Sequence, residues 1–164
     1  MMGVMPGMFV ELGFNTGLRF SDLITLTVGD FRDRGFIVRR EQKTGKETEI
    51  RIHPSVVVDV IRRTADKRSD ELLFQSMHPW AAPNTPISRA TAYRWVKEAC
   101  RRAGVTDPVG THTLRKTYGY WFYVEYHDIV ALMTHFNHIS EAVTLRYIGY
   151  TQNKLNSQTE KFLL

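Results

Sequence analysis

The spacing of apolar residues is the feature that most constrains the fold of this 164-residue chain. Along most of the sequence these residues recur every three to four positions, which is the period of an amphipathic helix. The stretch from 36 to 52 differs, because Phe36-Ile37-Val38 and the alternating Glu49-Ile50-Arg51-Ile52 flank a polar turn, a pattern typical of a β-hairpin. The sequence therefore predicts an α+β fold that is mostly helical, with one small antiparallel β-sheet.

Capping and turn residues divide the helical part into segments. Ser21 and Ser140 are predicted N-caps, because a serine hydroxyl accepts a hydrogen bond from an amide that has no partner within the helix. Pro54 suits the first turn of a helix, and Gly104 suits the position just past a helix end. The segment 76–86 carries three prolines and is predicted to be a loop. The predicted helices cover roughly 7–14, 21–26, 54–61, 93–103, 111–125, 129–136 and 140–148.

Composition indicates the cellular compartment of the protein and the kind of molecule that it binds. The length suits one globular domain, and 22 Lys+Arg against 17 Asp+Glu give a net charge of +5, which favours a polyanion such as nucleic acid. Cys100 is the single cysteine, so neither an internal disulfide nor a cysteine-rich zinc site is expected. The same observation predicts a reducing, cytoplasmic location. No apolar run approaches the ~20 residues that span a bilayer. Residues 1–6 lack the features of a signal peptide.

Several residues could carry chemistry, but each has an ordinary structural interpretation when taken alone. Arg19 could be a surface arginine, and Tyr147 on an apolar helix face could be a packed aromatic. His135 and His138 have a spacing that suits a metal on one helix face, yet no third ligand accompanies them. The sequence therefore predicts no metal site.

Four fragments change that interpretation through their order and spacing. They are Thr16-Gly17-Leu18-Arg19-Phe20-Ser21-Asp22-Leu23, then Lys43-Thr44-Gly45-Lys46, then Thr111-His112-Thr113-Leu114-Arg115-Lys116-Thr117, and finally Phe136-Asn137-His138 with Val143-Thr144-Leu145-Arg146-Tyr147-Ile148-Gly149. With these fragments the chain resembles the tyrosine recombinase (phage integrase) family over nearly all of its length. The resemblance implies that residues 1–164 form a tyrosine recombinase catalytic domain.

The resemblance also implies a reaction and the residues that perform it. Tyr147 would attack a scissile DNA phosphate to give a 3′-phosphotyrosyl intermediate and a free 5′-hydroxyl, which is later rejoined to a partner strand. Asp22 would support the arginines of the site without contacting the DNA itself, and it would not bind a metal. No cofactor is implied, because the phosphotyrosyl bond retains the energy of the cut link. The catalytic residues implied are Arg19, Lys43, His112, Arg115, His138 and Tyr147.

Elementary chemistry agrees with these implied roles. Two guanidiniums, those of Arg19 and Arg115, can clamp phosphate oxygens bidentately as negative charge builds on them. A phenol is protonated at neutral pH, so the nucleophile needs a proton acceptor such as His112. Lys43 can protonate the leaving 5′-oxygen as a general acid. His138 is best interpreted as a hydrogen-bond donor to a non-bridging oxygen.

Some assignments have rivals within the sequence. Lys46 shares the hairpin turn with Lys43 and could replace it, and Tyr150 is a second candidate nucleophile. We favour Tyr147 because it keeps the family's interval from His138. The arginine pairs at 39–40, 62–63 and 101–102 are interpreted as solvated faces rather than a binding stripe. The predicted DNA contacts are made by Lys46, Arg89, Arg94 and Lys116, and they would weaken as the salt concentration rises.

The expected context is a bacterial or phage-encoded enzyme that acts on double-stranded DNA. Full-length relatives usually carry an N-terminal core-binding domain, whereas the first motif here begins at Thr16, so that domain is expected to be absent from this chain. When full length, such a protein would form a homotetramer on paired recombination sites. The alternatives are a truncated DNA-binding remnant without recombinase activity and a type IB topoisomerase-like enzyme. A basic RNA-binding domain is disfavoured because no aromatic platform motif is present.

Overall fold

The computed structural model describes residues 4–34, 36–40, 47–150 and 159–162. Over these residues the chain is mostly helical with one two-stranded antiparallel sheet, which confirms the predicted fold class. It divides into two compact units, Met1–Arg115 and Lys116–Leu164. In chain order the elements are α1 (Val4–Thr16), α2 (Phe20–Leu23), α3 (Val28–Arg32), β1 (Phe36–Arg40), β2 (Glu47–Arg51), α4 (Pro54–Arg63), α5 (Arg89–Arg102), α6 (Thr113–Tyr126), α7 (Ile129–Phe136) and α8 (Glu141–Ile148).

The core of the first unit forms around α1, which packs against α4 and α5. Phe9 of α1 is buried, and its ring meets Phe74 edge-on with 5.1 Å between the ring centroids. Trp95 on α5 also packs edge-on against the Phe9 ring, with 5.8 Å between the ring centroids. Burial of a large apolar side chain stabilises a fold by about 1.5–3 kcal/mol, so this cluster stabilises the packing of α1 against α5.

The β-hairpin pairs as predicted. In the ladder between β1 and β2, Ile37 lies opposite Ile50, and both side chains are buried in the core of the first unit. Residues directly opposite each other in an antiparallel ladder project from the same face of the sheet, which explains why these two side chains enter the core together. Lys43 and Lys46, predicted for the turn between the strands, lie outside the described residues.

Two of the predicted helix starts are confirmed and one is wrong. Pro54 begins α4, and the Ser140 hydroxyl accepts a hydrogen bond from the Val143 amide at the start of α8. Ser21, by contrast, lies inside α2, where the N-cap residue is Arg19 in an extended conformation without a side-chain cap. The helix begins earlier because the Arg19 carbonyl already accepts a hydrogen bond from the amide of Leu23.

A short helix, α3, was not predicted from the sequence. Its N-cap is Thr27, whose hydroxyl accepts a hydrogen bond from the Asp30 amide at 3.3 Å, while the Asp30 carboxylate accepts from the Thr27 amide at 2.9 Å. This reciprocal capping box satisfies two amides at the helix start. A five-residue helix has too few apolar positions to show a period, which is why the pattern analysis missed it.

The second unit packs α6, α7 and α8 around a small buried cluster of Leu132, Phe136 and Ile148. Gly119 of α6 sits against this cluster, since a Cβ atom there would lie 2.7 Å from atoms of both Phe136 and Ile148. The close approach accounts for a glycine inside a helix, where it lowers helix stability. Among the described residues, no helix combines the length and apolar character needed to traverse a membrane.

Candidate active site

The turn between α1 and α2 presents Arg19 on the surface of the first unit. At the end of α1 the buried Thr16 hydroxyl donates to the Leu12 carbonyl at 2.7 Å. Gly17 follows with a φ of 59°, a left-handed conformation that glycine adopts without steric penalty. Leu18 is 3% exposed and anchors the turn in the core, while the next side chain, Arg19, is exposed.

Arg115 lies in the first turn of α6 and is buried, at 2% exposure. Its Nη1 donates a hydrogen bond of 2.5 Å to the carbonyl of Gly17, 98 residues earlier in the chain. A buried guanidinium is tolerated only where its N–H groups are hydrogen-bonded, so this contact is a specific one. It joins the start of α6 to the turn that carries Arg19, and the first unit thus brings together the segments of the two predicted arginines.

His112 is exposed in the turn that precedes α6. The turn is held by two hydrogen bonds, from the Gly110 amide to the Thr113 hydroxyl at 2.8 Å and from the Thr113 amide to the Gly110 carbonyl at 3.0 Å. The predicted histidine and Arg115 therefore lie at the same end of one helix. The general-base role predicted for His112 stays a prediction.

Asp22 is half-buried in α2, where its carboxylate accepts a hydrogen bond from the Ser21 hydroxyl at 3.3 Å. It lines a cavity of about 170 Å³ in the first unit, together with Leu18, Thr25, Leu26, Asp30, Ile37 and Val38. The predicted support of the arginines by Asp22 stays a prediction.

In the second unit, His138 directly follows the end of α7. Asn137 ends that helix with φ 52° and ψ 51°, the left-handed conformation that asparagine tolerates better than most residues. The chain reverses there, and Nδ1 of His138 comes to lie 3.1 Å from the hydroxyl oxygen of Thr144 on α8. Thr144 is completely buried.

Tyr147 lies in the last turn of α8 and is half-buried. Its ring meets the rings of Phe136 and His138 at 5.5 Å and 5.2 Å, both at 80°. Nζ of Lys116 lies 5.6 Å from the centre of the same ring. The second unit thus brings the predicted nucleophile and the later histidine together, with a cation beside the phenol ring.

The rival nucleophile, Tyr150, has a different environment. It lies beyond the end of α8, after Gly149, and its ring stands edge-on to Tyr123 with 4.9 Å between centroids. The preference for Tyr147 over Tyr150 stays a prediction.

The basic residues of α5 fall into two groups. Arg89 and Arg94 are exposed in its first turns, as a contact with DNA requires. At the other end, Glu98 accepts hydrogen bonds from Arg101 at 2.8 Å and Arg102 at 2.6 Å, which lower the pKa of its carboxyl to about 2. Arg101 and Arg102, which are predicted to form a solvated face, are exposed and paired with Glu98.

The histidine pair considered for metal binding has other neighbours. The ring of His135 lies 4.9 Å from that of Tyr118, and His138 contacts Thr144. Within the described ranges, no group of three or more potential metal ligands is found.

Sequence reasoning did not place three residues beside the predicted nucleophile and histidine: Phe136 and Thr144 were given no role, and Lys116 was predicted only as a DNA contact. Phe136 and Lys116 contact the Tyr147 ring, and Thr144 bonds His138. A signal for Thr144 was present, because it lies one helical turn before Tyr147, but its hydroxyl could not be assigned to His138 without the reversal at Asn137.

Comparison with known proteins identifies relatives of this chain. The model described as the phage integrase family matches residues 4–154. The probable integrase/recombinase YoeC of Bacillus subtilis is 37% identical over 150 residues, which cover 92% of this chain and 80% of that protein. The tyrosine recombinase XerA of Thermococcus kodakarensis is 30% identical over 155 residues, 94% of this chain and 54% of XerA.

A solved structure shares the fold. The XerH site-specific recombinase bound to its palindromic difH substrate, in a post-cleavage complex, superposes with a TM-score of 0.75 at 18% identity, covering 97% of this chain and 47% of that one. The chain therefore spans about half the length of XerA and of XerH. From the matched family model and the similarity to YoeC, the chain belongs to the phage integrase family of tyrosine recombinases.

Proposed function

We propose that this chain is the catalytic domain of a site-specific DNA recombinase or integrase that cuts and rejoins DNA through Tyr147. The observation that carries the proposal is the hydrogen bond from the buried Arg115 to the Gly17 carbonyl. It joins two segments 98 residues apart that both hold predicted phosphate-binding arginines, Arg19 being two residues beyond Gly17. Membership of the phage integrase family supports the same chemistry.

In the proposed reaction the phenolic oxygen of Tyr147 forms a bond to the scissile phosphorus as the bond to the 5′-oxygen breaks. The phenol proton passes to His112, and Lys43 gives a proton to the leaving 5′-oxygen. The products are a 3′-phosphotyrosyl link and a free 5′-hydroxyl. Attack by the 5′-hydroxyl of a partner strand reverses these transfers, so one phosphodiester is restored and no outside energy source is needed.

The arginines supply the electrostatic part of this proposal. Arg19 and Arg115 would bind the non-bridging oxygens, where negative charge increases in the transition state. The buried position of Arg115 favours this role, because charge–charge attraction is stronger where water is excluded. Lys116 beside the Tyr147 ring would favour negative charge on the phenolic oxygen. Asp22 would hold the arginine side of the site in place.

The proposed partner is double-stranded DNA at a recombination site, and the structurally similar XerH site-specific recombinase was solved bound to its palindromic difH substrate. The exposed Arg89 and Arg94 on α5 would contact the phosphate backbone, and Lys46 would contact it from the hairpin turn. Recombination would take place on paired sites in a homotetramer, in the cytoplasm of a bacterial host.

The test is a suicide substrate, a DNA duplex nicked just downstream of the scissile phosphate, so that the short fragment bearing the new 5′-hydroxyl leaves and the covalent protein–DNA adduct accumulates. The wild-type chain should give an adduct that survives denaturing electrophoresis. Tyr147→Phe should abolish it, because a phenyl ring has no nucleophilic oxygen, whereas the matched Tyr150→Phe should keep it. An adduct that persists in Tyr147→Phe would falsify the nucleophile assignment.

Two other outcomes would overturn the enzyme class. DNA binding without any adduct in the wild-type chain would indicate a DNA-binding remnant. Relaxation of supercoiled plasmid without strand exchange between two sites would indicate a type IB topoisomerase-like enzyme.

A further inference from the structure

Thr144 makes two hydrogen-bond contacts through one hydroxyl oxygen. The hydroxyl donates to the carbonyl of Ser140, one turn earlier in the chain, at 3.0 Å. The same oxygen lies 3.1 Å from Nδ1 of His138. Because Thr144 is completely buried, the loss of either hydrogen bond would not be compensated by water and would cost free energy.

The single hydroxyl proton decides which atom donates in the second contact. A hydroxyl carries one hydrogen and two lone pairs, so an oxygen that donates to Ser140 can only accept from His138. Nδ1 of His138 must then carry a hydrogen. The opposite arrangement, with the hydroxyl donating to Nδ1, gives up the bond to the Ser140 carbonyl and leaves one hydrogen bond fewer in a buried position.

We propose that Thr144 is a positioning residue that holds the neutral imidazole of His138 in the Nδ1–H tautomer. Nε2 is then the nitrogen that gains a proton when the imidazole becomes cationic. Protonation keeps the Nδ1–H bond to Thr144 unchanged, so the ring does not have to rotate. The proposal extends the function proposed above, and it changes the predicted role of His138 in one respect. As a donor to a phosphate oxygen, His138 acts as an imidazolium, whose charged N–H makes the stronger bond.

The surroundings of His138 restrict the ring to this orientation. Its ring packs against Phe136 at 5.4 Å and against Tyr147 at 5.2 Å. The left-handed Asn137 sets the direction in which the chain leaves α7. A ring flip would exchange Nδ1 for a carbon atom beside the buried Thr144 oxygen, and the hydroxyl would lose its donor.

Two other histidines of the same chain provide internal references with the opposite tautomer. Nδ1 of His53 accepts a hydrogen bond from the Ser55 amide at 3.3 Å, and Nδ1 of His78 accepts from the Trp80 amide at 3.3 Å. A backbone amide can only donate, so both of these neutral rings carry their hydrogen on Nε2, and the Ser55 hydroxyl, whose oxygen lies 2.7 Å from Nδ1 of His53, then donates to the same nitrogen.

The experiment is two-bond ¹H–¹⁵N correlation NMR of the histidine rings in the full 164-residue chain, recorded at a pH of about 8.5, where imidazoles are neutral. Nitrogens with and without a hydrogen have separate ¹⁵N shifts, so each spectrum reports the tautomer directly. The wild-type chain should show His138 as Nδ1–H, against Nε2–H for His53 and His78. Thr144→Val, which keeps the shape but lacks the acceptor, should convert His138 to Nε2–H, and Thr144→Ser should restore Nδ1–H.

An Nε2–H signal for His138 in the wild-type chain overturns the proposal, and so does an unchanged Nδ1–H signal in Thr144→Val. If Thr144→Val does not fold, the wild-type and Thr144→Ser spectra still decide the tautomer. The spectra need no DNA, so they are independent of the proposed function. Absence of a covalent adduct with an Nδ1–H signal would reject only the recombinase assignment, and an adduct with an Nε2–H signal would reject only the role of Thr144.

Discussion

Replacement of Gly119 by alanine tests the packing that positions Tyr147. The added Cβ would lie 2.7 Å from Phe136 Cε2 and from Ile148 Cγ2, and ordinary carbon contacts begin near 3.4 Å, so each must lengthen by about 0.7 Å. Neither neighbour is a flexible chain end, because both are buried in the core of the second unit. Overpacking of this kind typically costs about 1–3 kcal/mol, against a gain of about 1 kcal/mol from the higher helix propensity of alanine.

Gly7→Ala is the matched control, because Gly7 also lies inside a helix and a Cβ there would meet nothing within 4 Å. Helix propensity contributes equally to both substitutions, so the difference between them isolates the steric cost at Gly119. We expect Gly7→Ala to raise the free energy of unfolding by about 0.5–1 kcal/mol relative to the wild-type chain. The free energy of unfolding of Gly119→Ala should be lower than that of Gly7→Ala by about 1–3 kcal/mol. Urea unfolding followed by far-UV circular dichroism measures both values.

A second-site change identifies the source of the cost. Phe136→Leu removes the ring atoms Cε2 and Cζ that the new Cβ would approach. In that background Gly119→Ala should therefore cost less than it does in the wild-type chain, as a double-mutant cycle would record. The reasoning is refuted if Gly119→Ala is as stable as Gly7→Ala, or if its cost is the same in both backgrounds.

Two further predictions concern helix ends and pH. Ser140→Ala should lower the free energy of unfolding by about 1 kcal/mol, because it removes the N-cap of α8. Ser21→Ala, which removes an exposed serine inside α2, should change it by less than about 0.5 kcal/mol, and thermal unfolding that found equal effects would contradict these capping assignments. For Glu98 the pKa is lowered to about 2 by hydrogen bonds from Arg101 and then Arg102, so its contribution to stability is present above about pH 4.5 and is lost as pH falls through about 2. Glu98→Gln should therefore lower the melting temperature slightly near pH 6 and not near pH 2, and a melting-temperature difference that persists at pH 2 would contradict the ion-pair explanation.

Local signals in the sequence were sufficient where the structure depends on neighbouring residues. Pro54 and Ser140 begin helices as predicted, because both act through the backbone within one turn. Ser21 failed as a predicted N-cap for the complementary reason. The start of α2 depends on where the chain leaves the turn at Gly17, and a capping residue type alone does not report that position.

The candidate site divides in the same way. The resemblance to the tyrosine recombinase family, which rests on the order and spacing of the motifs, identified Arg19, Arg115, His138 and Tyr147 as candidates, and their residue types suit phosphate chemistry. That Arg115 is buried, and bonded to a carbonyl 98 residues away, could not be derived from spacing. Contacts between distant segments depend on how the helices pack, and periodicity carries no information on their direction in space.

Tyr147 and the residues around it show most clearly what each level determined. The sequence by itself determined the mostly helical class, the hairpin and the identity of the candidate nucleophile, because these follow from apolar period and from motif order. Only the tertiary structure decided that Phe136, His138 and Lys116 surround the Tyr147 ring. The physical reason is that Asn137, in a left-handed conformation, turns the chain at the end of α7, and Gly119 on α6 has no side chain between its backbone and the neighbouring helices. Together they let α6, α7 and α8 approach closely, and contacts between helices depend on packing in space rather than on order along the chain.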